Sequence, residues 1–489
     1  MPGPEELSRE ELLALLVARD ARIDALLVQV GDLTAQVQAL VLRLGKDSSN
    51  SSKPLSSDGP SRRPRGGSSR KASGRRPGKQ PGDPGKTLRL VDDPDERIPI
   101  PAPAACRCGT SLVEAQVVGV RRRQVHDLPE IPAPAVTEHA AEVKCCPGCR
   151  GEVVGQFPAG VNAPATYGPE ITTRVADVVI GHHVPVHRST VLVMELVGMQ
   201  VSTGFAAGLR GRAAALIRDG GFLDAVKQLL ASAPVVHADE TFARADGGTA
   251  FVHVACTEHL TLMHTGDRSA KTIDDGGVLP ALSARQVLVR DGYVGYAHLG
   301  NVLHAWCGSH LLRHLQDVTG IDPDTQVWSI QAADALRLAI HAFNLFRRNA
   351  IPLDPDQITA ARKKFDQAVA CGISINTSRP WPEGNHPGLV LARRLKRKAD
   401  QVWLFITRTD VPPTNNGSEA AIRGFKLAEK VSGCWRTLTT LQRHCRIRSY
   451  LTTAANHGRR PLDAINDALY SATWMPPRTT TPTATALAA

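Results

Sequence analysis

Apolar residues repeat every seven positions near the start of the chain. One row consists of Leu16, Ile23, Val30, Val37 and Leu44, and a second of Leu12, Leu26, Leu33 and Leu40, with Arg19 as its exception. Mostly β-branched residues in the first row, with Leu in the second, favour a parallel two-stranded coiled coil over residues 5–45. An amphipathic helix packed on its own chain would give the same pattern, so self-association is a prediction.

After residue 45 apolar residues become scarce, and Ser, Pro, Gly and Arg predominate. Residues 46–98 cannot bury a core, so we predict a disordered linker. From Ser61 to Lys86 it carries nine Lys and Arg against one Asp, an excess that suits a polyanion because neutralised phosphates release counterions. The candidate DNA contacts are Arg62, Arg63, Arg65, Arg70, Lys71, Arg75 and Arg76. A basic linker that is only solvated is the alternative.

Residues 161–230 have the spacing of helices. Two amphipathic stretches, HRSTVLVMELVG and FAAGLRGRAAALI, are separated by MQVSTG, in which Ser202 or Thr203 can cap the second helix. The pair predicts either a helix-turn-helix that reads DNA or a plain helical hairpin.

From residue 234 the chain contains short apolar runs. An antiparallel meander is predicted by PVVHADETFARA, GTAFVHVACT and EHLTLMHTG, and two further strands by RQVLVRDGY and NVLHAWC. Residues 317–413 are mostly amphipathic and helical, and the helix AAIRGFKLAEKV follows TNNGSE. Strands that are first antiparallel and then alternate with helices predict a mixed α/β sheet.

Length and charge add two expectations. A chain of 489 residues is long enough for several modules, and its formal net charge of +11 is concentrated in the linker. It contains no apolar run of about 20 residues, and its acidic start differs from a signal peptide. We therefore expect a cytoplasmic protein, associated with the nucleoid when bound to DNA.

Five of the ten cysteines lie close together, between Cys106 and Cys149. The pairs Cys106/Cys108 and Cys146/Cys149 could supply four thiolates to structural zinc, so residues 99–160 predict a small zinc-ribbon-like module. The first pair is one residue shorter than the usual spacing, and Cys145 could substitute as a ligand. A reduced, metal-free module is the alternative.

Two acidic residues, Asp239 and Asp291, close predicted strands at VVHAD and VLVRD. Neighbouring strands can bring such carboxylates together, where a divalent cation would offset their repulsion. Oxygen ligands favour Mg²⁺ or Mn²⁺ over zinc. A third acid on a following helix would complete a site for two metals, and Glu419 is suitably placed.

Each of these acids has a structural alternative. Asn416 and Glu419 have the spacing of a helix capping box. For Asp239 and Asp291, solvation at a strand end is the more common role. Other acids compete for the catalytic role, namely Glu240, Asp246, Asp267, Asp274 and Asp275.

Several further residues are candidate DNA contacts. Arg423 and Lys426 follow Glu419 on one helical face and could meet phosphates, or they could form surface charge pairs. Cys307, His310 and Arg313 recur at helical spacing. Either these side chains pack within the fold while Arg313 contacts DNA or a carboxylate, or Cys307 and His310 form a Cys–His zinc pair. Trp435 and Arg436 could clamp a DNA end, although Trp435 equally suits a core.

Along nearly its whole length the chain resembles the large transposase of the insertion-sequence-66 family, a DDE transposase. The motifs that carry the resemblance are, in order, a leucine-rich coiled coil, GRRPGKQPGDPGKTL, the cysteine module with DLPEIP, FPAGVNAPATYGP, VSTGF, HADET, VRDGY, WCGSHLLRHL, TNNGSEAAIR, SGCWRT and RIRSYLTT. Their combined order is specific even though several are individually weak.

The resemblance implies a multidomain α/β protein with an RNase H-like catalytic domain that a helical insertion interrupts. It assigns catalysis and Mg²⁺ binding to Asp239 in HADET, Asp291 in VRDGY and Glu419 in NNGSEAAIR. The insertion then lies within the 127 residues between Asp291 and Glu419. The family's first cysteine pair usually has two intervening residues, from which CRC departs. The predicted domains are a coiled coil (5–45), a basic linker (46–98), a cysteine module (99–160), a helical region (161–230), the first part of the core (231–316), the insertion (317–413), the last part of the core (414–475) and a disordered tail (476–489).

The expected activity is metal-dependent cleavage of element ends and joining of the 3′-hydroxyl to target DNA, with two Mg²⁺ or Mn²⁺ ions per active site. The expected partners are terminal inverted repeats and target DNA, a second copy through the coiled coil, and small accessory proteins that the resemblance implies. Two alternatives remain: a non-catalytic DNA-binding regulator, and a nuclease of RNase H-like fold without strand transfer.

Overall fold

The computed structural model describes residues 8–45, 88–128, 133–382 and 384–478. The basic residues between Arg62 and Arg76, and the tail from residue 479, lie outside the described residues. The chain forms two units, one of residues 70–137 and the other of residues 1–69 with 138–489.

In the unit of residues 70–137, the described residues, 88–128 and 133–137, have little regular secondary structure. Around Cys106 the chain makes a tight turn, in which Gly109 N–H donates to Cys106 O (2.8 Å) and Cys106 N–H to Thr110 O (2.8 Å). Gly109 has a φ of 89°, which a residue without Cβ adopts readily. A second tie joins Val91 to Gln124, whose side chain accepts from Val91 N–H and donates to Val91 O, both at 2.7 Å.

In the larger unit, the heptad region forms one continuous helix, α1 (Arg9–Gly45). Its apolar seam is exposed; Leu26, Val30 and Leu33, for example, are 51%, 58% and 59% exposed. The helix is therefore as predicted. Pairing with a second copy stays a prediction, and the exposed seam is compatible with it.

A small antiparallel hairpin follows, made of β1 (Val143–Cys145) and β2 (Glu152–Val154). Its turn carries Cys146 and Cys149, and Cys146 donates its N–H to Gly151 O (2.9 Å) while accepting from Arg150 N–H (2.8 Å). Cys106 and Cys108 belong to the other unit. A four-cysteine zinc site thus stays a prediction.

Residues 169–232 are helical, as the sequence pattern predicts. The helices are α2 (Pro169–Ala176), a π-helical turn (Asp177–Gly181), α3 (Val186–Val197), α4 (Thr203–Asp219) and α5 (Phe222–Ser232). Ser202 is the N-cap of α4, because its side chain accepts from Phe205 N–H at 3.1 Å. This was one of the two predicted caps.

The centre of the unit is a five-stranded mixed sheet with the order β5-β4-β3-β6-β7. The strands are β3 (Val235–Ala245), β4 (Gly248–Cys256), β5 (Thr261–Gly266), β6 (Val287–Arg290) and β7 (Leu303–Trp306). The first three are antiparallel, and β6 and β7 run parallel to β3. Asp246 and Gly247, with φ values of 54° and 69°, form the two-residue turn between β3 and β4. The predicted mixed sheet is confirmed.

Helices cover the sheet and continue beyond it. They are α6 (Ala270–Asp275), α7 (Gly308–Ile321), α8 (Val327–Asn349), α9 (Pro355–Asn376), α10 (Pro387–Arg397), α11 (Ala399–Val402), α12 (Leu404–Thr407), α13 (Asn416–Ser432), α14 (Leu438–Asn456) and α15 (Pro461–Tyr470). Short 3₁₀ turns occur at Leu279–Ala281 and Val294–His298. Helices α7 to α12 agree with the predicted helical character of residues 317–413.

Alternation along the strands separates two sheet faces. Val236, Ala238 and Leu288 belong to a core shared with α2, α4, α5, α14 and α15. On the opposite face, Val252 and Val254 pack with Ala421 and Phe425 of α13. Helices α7 to α10 have a further core of their own around Trp328, Leu336 and Phe365. Among the described helices, none is both long enough and apolar enough to span a membrane.

Several buried histidines should make the fold sensitive to acid. Burial is the main cause that lowers the pKa of His183, His253, His304 and His386 to about 4.

His304 shows why the neutral form is required. Its Nδ1 accepts from Arg290 Nε at 2.9 Å, and its Nε2 lies 2.9 Å from Leu299 O, which fits a neutral ring protonated at Nε2. The unfolded chain takes up these protons near pH 6.5. Stability is therefore complete above about pH 6.5 and is lost as the pH falls towards 4.

We expect the urea midpoint of unfolding to fall between pH 7.5 and pH 5. His304→Gln, which can keep both hydrogen bonds but cannot take up a proton, should show a smaller fall than the unchanged protein. His187 is exposed and provides the matched control, since His187→Gln should leave the fall unchanged. Equal falls for all three proteins would contradict the role given to His304.

Candidate active site

Asp239 and Asp291 lie at equivalent positions on adjacent parallel strands. His237 pairs with Val289 between β3 and β6, so Asp239 and Asp291 each follow two residues further along the same register. A step of two residues keeps a side chain on the same sheet face, and both aspartates share the face that carries His237. Each retains partial exposure. The topology therefore brings the two aspartates together where β6 ends. Asp239 itself lies within β3, which continues to Ala245, so the prediction that it closes a strand is wrong; only Asp291 follows a strand end.

The two aspartates belong to a cluster of negative charge. Burial raises the pKa of Asp239 well above its usual range. The nearby carboxylate of Asp291, and then those of Glu240 and Glu419, add to that rise in pKa. One oxygen of Asp239 accepts from Glu240 N–H, and one of Asp291 accepts from Tyr293 N–H, both at 2.9 Å. These two hydrogen bonds fix the carboxylates without neutralising them.

Glu419 lies in the first turn of α13, and the buried side chain of Asn415 fixes the start of that helix. Asn415 Nδ2 donates to Ala238 O at 2.8 Å, and Asn415 Oδ1 lies 2.9 Å from His237 Nδ1. Both partners are on β3, one and two residues before Asp239. The backbone N–H of Asn415 also points at Cys307 Sγ (3.2 Å). The glutamate is thus held beside the strand that bears Asp239.

The capping-box interpretation of Glu419 is wrong in this structure. The helix begins at Asn416, and its N-cap is Asn415, whose side chain makes no cap hydrogen bond. Asn415 instead uses its amide on β3, while Glu419 N–H donates to Asn415 O at 3.2 Å. Among the described residues, no hydrogen bond at the start of α13 holds the side chain of Glu419, so it can point towards the aspartates.

Glu240 follows Asp239 but is occupied by other partners. Its side chain is 3% exposed and accepts from Arg268 Nε at 3.0 Å and from Tyr296 Oη at 2.7 Å. Burial is the main cause that raises its pKa, while Arg268 and Tyr296 oppose the rise. Both carboxylate oxygens of Glu240 therefore already accept hydrogen bonds, and the residue is a poor candidate for a metal ligand.

The remaining competing acids also have roles elsewhere. Asp267 accepts from Ser269 N–H (2.9 Å) and Thr272 Oγ1 (2.6 Å) at the start of α6. Asp274 lies 2.8 Å from His298 Nε2, and Asp275 pairs with Lys271 at 2.8 Å. Asp246 lies in the exposed turn between β3 and β4. Of the acids considered from the sequence, Asp239 and Asp291 lie on adjacent strands, and Glu419 is close enough to contribute to the raised pKa of Asp239.

The carboxylates of Asp239, Asp291 and Glu419 are suitable ligands for a hard divalent cation. Glu419 Oε1 is buried and has no hydrogen-bond partner among the described residues, although its side chain as a whole is 35% exposed. Carboxylate oxygens are the ligands preferred by Mg²⁺ and Mn²⁺. A cation at this point would offset the mutual repulsion that raises the pKa of Asp239.

A second set of donors surrounds Glu419 on the side of α7. Cys307, His310 and Glu419 can each bring one ligand atom to within 4.8 Å of the others. His310 Nδ1 is buried without a hydrogen-bond partner among the described residues and lies 3.8 Å from Glu419 Oε1. Sulfur, nitrogen and oxygen together are a donor set for zinc. The Cys–His pair considered from the sequence is thus joined by the predicted catalytic glutamate, Glu419, as a third donor.

The candidate DNA contacts are placed differently from one another. Arg313 Nη2 lies 3.7 Å from Glu419 Oε1, the carboxylate contact that its spacing allowed. Arg423 and Arg436 are exposed. Lys426 donates to Phe242 O at 2.5 Å and pairs with Glu429 at 3.1 Å, so its ammonium is used within the fold.

Trp435 lies in the core, the alternative to DNA stacking that the sequence left open. It is 6% exposed, and its ring lies 4.3 Å from that of His444 and 6.0 Å from that of Phe425. Its backbone pairs with Arg244 at the edge of β3, where Trp435 N–H donates to Arg244 O at 3.0 Å. The residue is therefore a poor candidate for stacking on a base.

Some residues at the site were not identified from the sequence. Asn415 was one of two adjacent asparagines, and nothing local separates its role from that of Asn416. Arg394 of α10 lies next to Gly292, the residue after Asp291, and also donates to His314 Nδ1 at 3.0 Å. In the sequence, Arg394 is only one of several arginines on an amphipathic helix, and no local feature distinguishes it.

Asn415→Ala should destabilise the protein by about 1–3 kcal/mol, because it leaves His237 Nδ1 and Ala238 O buried without partners. The neighbouring Asn416 is exposed and provides the control, since Asn416→Ala should change stability little. Urea denaturation of both variants measures the difference. Equal effects would show that Asn415 does not hold the helix.

The comparison with known proteins agrees with this geometry. A family model described as Transposase IS66 family matches residues 164–443, a range that includes Asp239, Asp291 and Glu419. A second, described as a family of unknown function (DUF6444), matches residues 2–89. No curated protein is significantly similar to the chain. Because the first match covers more than half of the 489 residues, the chain belongs to the IS66 family of transposases.

Proposed function

We propose that the chain is a DDE transposase whose catalytic residues are Asp239, Asp291 and Glu419. The observation that carries the proposal is the placement of the two aspartates beside the start of the helix that bears the glutamate. Two aspartates occupy equivalent positions on adjacent parallel strands, and a buried asparagine holds the glutamate helix against one of those strands. Membership of the transposase family supports the same assignment.

The protein's part in the reaction is to hold three carboxylates at fixed positions. Asp239 and Asp291 keep their orientation through backbone N–H donors, and the Asn415 contacts hold the start of the helix that carries Glu419. When bound, a pair of Mg²⁺ or Mn²⁺ ions supplies activation of the attacking oxygen and stabilisation of the leaving oxygen. Water cuts the element end, and the freed 3′-hydroxyl then attacks target DNA. The site needs no Ser or Tyr nucleophile.

The other modules have supporting roles in this proposal. The exposed seam of α1 pairs two copies, so that both element ends are held in one complex. The basic linker and the exposed Arg423 and Arg436 contact phosphates. The four cysteines Cys106, Cys108, Cys146 and Cys149 bind structural zinc. Small accessory proteins of the same element are further proposed partners.

The test is cleavage of short duplexes that carry the element's terminal repeats. Asp239→Asn, Asp291→Asn and Glu419→Gln keep the side-chain shape and remove the charge, and each should lower the Mn²⁺-dependent cleavage rate by about 10²–10³-fold or more. Asp246→Asn is the control, because Asp246 lies in an exposed turn whose positive φ asparagine tolerates. Cleavage that survives Asp291→Asn would remove that residue from the mechanism.

The products separate the remaining alternatives. A transposase joins the cut ends to a second duplex, and a gel resolves joined from merely cut DNA. Cut products without joining would favour a nuclease. Binding without cleavage in either Mg²⁺ or Mn²⁺ would favour a regulator.

The donors around Glu419 predict that zinc competes with the catalytic cations. Cys307 and His310 can recruit Zn²⁺ to the carboxylate that the reaction needs. We expect Zn²⁺ to inhibit Mn²⁺-dependent cleavage, and Cys307→Ser to raise the inhibitory Zn²⁺ concentration at least about tenfold, a loss of affinity typical of losing one ligand contact. Cys371→Ser, at an exposed cysteine, is the control. Equal inhibition of all three proteins would exclude this site as the cause.

A further inference from the structure

Four basic side chains meet where the helical region packs on the last part of the chain. They are His183, Arg210 of α4, His444 and Arg448 of α14, and we refer to them as the basic cluster. Helices α4 and α14 are in contact, and both arginines lower the pKa of each histidine. The members of the basic cluster are therefore close neighbours in space, although they are distant in the sequence.

The arginines of the basic cluster have no acidic partner among the described residues. Burial lowers the pKa of both, and no carboxylate opposes that effect. Arg448 makes one side-chain hydrogen bond, from Nη2 to Thr452 Oγ1 at 3.3 Å, while the Nε atoms of Arg448 and Arg210 are buried without partners. Arg268, by contrast, is paired with Glu240. Burying a guanidinium without a counter-charge is costly, so two of them together call for an anion.

The histidines of the basic cluster are buried as well. His444 is 1% exposed, and its Nε2 has no hydrogen-bond partner among the described residues. His183 is 5% exposed, and its ring lies 5.6 Å from that of His444. Its φ of 61° is unusual for a residue other than glycine, and Ser432 Oγ donates to its carbonyl at 2.5 Å. Strained backbone of this kind is concentrated at functional sites.

Room for the guanidinium comes from a glycine on the glutamate helix. A Cβ at Gly424 would lie 2.9 Å from Arg448 Nη2, so any larger residue would displace the guanidinium. Gly424 follows Glu419 by five residues on α13, which corresponds to a rise of about 7.5 Å and a rotation of about 140° about the helix axis. The basic cluster therefore lies beside the same helix that carries the predicted catalytic glutamate.

The basic cluster can be reached from solvent. Arg210 and Arg448 are both partly exposed, and Arg443 is exposed on the same helix as Arg448. The guanidinium of Arg443 lies 3.4 Å from where a Cβ of Gly211 would be, which places it beside the residue that follows Arg210. The nearest acid in sequence to His183, Asp177, lies 3.4 Å from His182.

We propose that the basic cluster binds one phosphodiester group of DNA near the cleavage site. This inference rests on the proposed function. Two guanidiniums provide forked N–H donors that match phosphate oxygens, and a neutral histidine can donate one more hydrogen bond. A buried charge that lacks a partner in the free protein gains one when DNA binds. By binding this phosphate, the arginines position the duplex relative to the helix that carries Glu419.

The test measures DNA binding without divalent cations, at several salt concentrations. Arg448→Met and Arg210→Met should each weaken binding of a terminal-repeat duplex about tenfold, and the two together should reduce the slope of log affinity against log salt by about one, the value for a single phosphate. Arg218→Met is the matched control on α4, since Arg218 is exposed and paired with Asp219 at 2.7 Å. Arg448→Lys should keep the salt slope but lose affinity, because an ammonium lacks the fork.

Thermal unfolding adds a readout that a structural arginine would not give. Arg448→Met removes an uncompensated buried charge, so its melting temperature should rise while DNA affinity falls. A lower melting temperature with unchanged DNA affinity would overturn the inference. If inorganic phosphate stabilises the unchanged protein as much as the duplex does, and Arg448→Met abolishes both effects, the basic cluster binds a small anion and the DNA assignment is wrong.

The outcome is separable from that of the proposed function. Asp291→Asn should bind the duplex normally and fail to cut it. Arg448→Met should bind the duplex weakly, whereas Arg218→Met should bind it and cut it as the unchanged protein does. Normal binding and salt slope in both arginine variants would reject the basic cluster while leaving the carboxylate triad intact.

Discussion

A single buried amide determines where the glutamate lies. Asn415 links three parts of the chain: its side chain contacts two residues of β3, and its backbone contacts the cysteine that follows β7. These contacts span more than 100 residues each, so none is fixed by local structure. Without them α13 could still form, because its apolar stripe packs on the sheet, but its first turn would lose its reference to Asp239. The geometry of the candidate site therefore depends on hydrogen bonds as much as on the carboxylates.

The carboxylates in turn create a demand for positive charge, which the fold meets for Glu240 but not for Asp239. Glu240 is balanced within the protein by Arg268 and Tyr296. Asp239 has no such partner among the described residues, and its raised pKa shows the cost. Glu240 and Asp239 thus stand next to each other in the chain but differ in what neutralises them. That difference is what distinguishes a structural carboxylate from one that can bind a cation.

The sequence predicts much of this arrangement, although not the contacts that complete it. The strand-end position of Asp291 follows from the apolar run before it, and the helices of residues 317–413 follow from amphipathic spacing. The apolar run before Asp239 does not mark a strand end, because pairing with β4 carries β3 on to Ala245. The adjacency of β3 and β6 does not, because β4 and β5 lie between them in the chain. The choice of Asn415 over Asn416, and the burial of Trp435 against His444, depend on partners from distant segments. Local pattern cannot distinguish such alternatives, since both fit the same helix or turn.

The helical segment between the second aspartate and the glutamate leaves and rejoins the core at one narrow point. Gly308 N–H donates to Pro413 O at 2.9 Å, and the Asn415–Cys307 contact lies directly beside it. The two ends of this long excursion are thereby held together where it departs and returns. The position of Glu419 therefore does not depend on how many residues this helical segment contains. Insertions or deletions within it could accumulate over evolution while the distance between the three acids stayed the same.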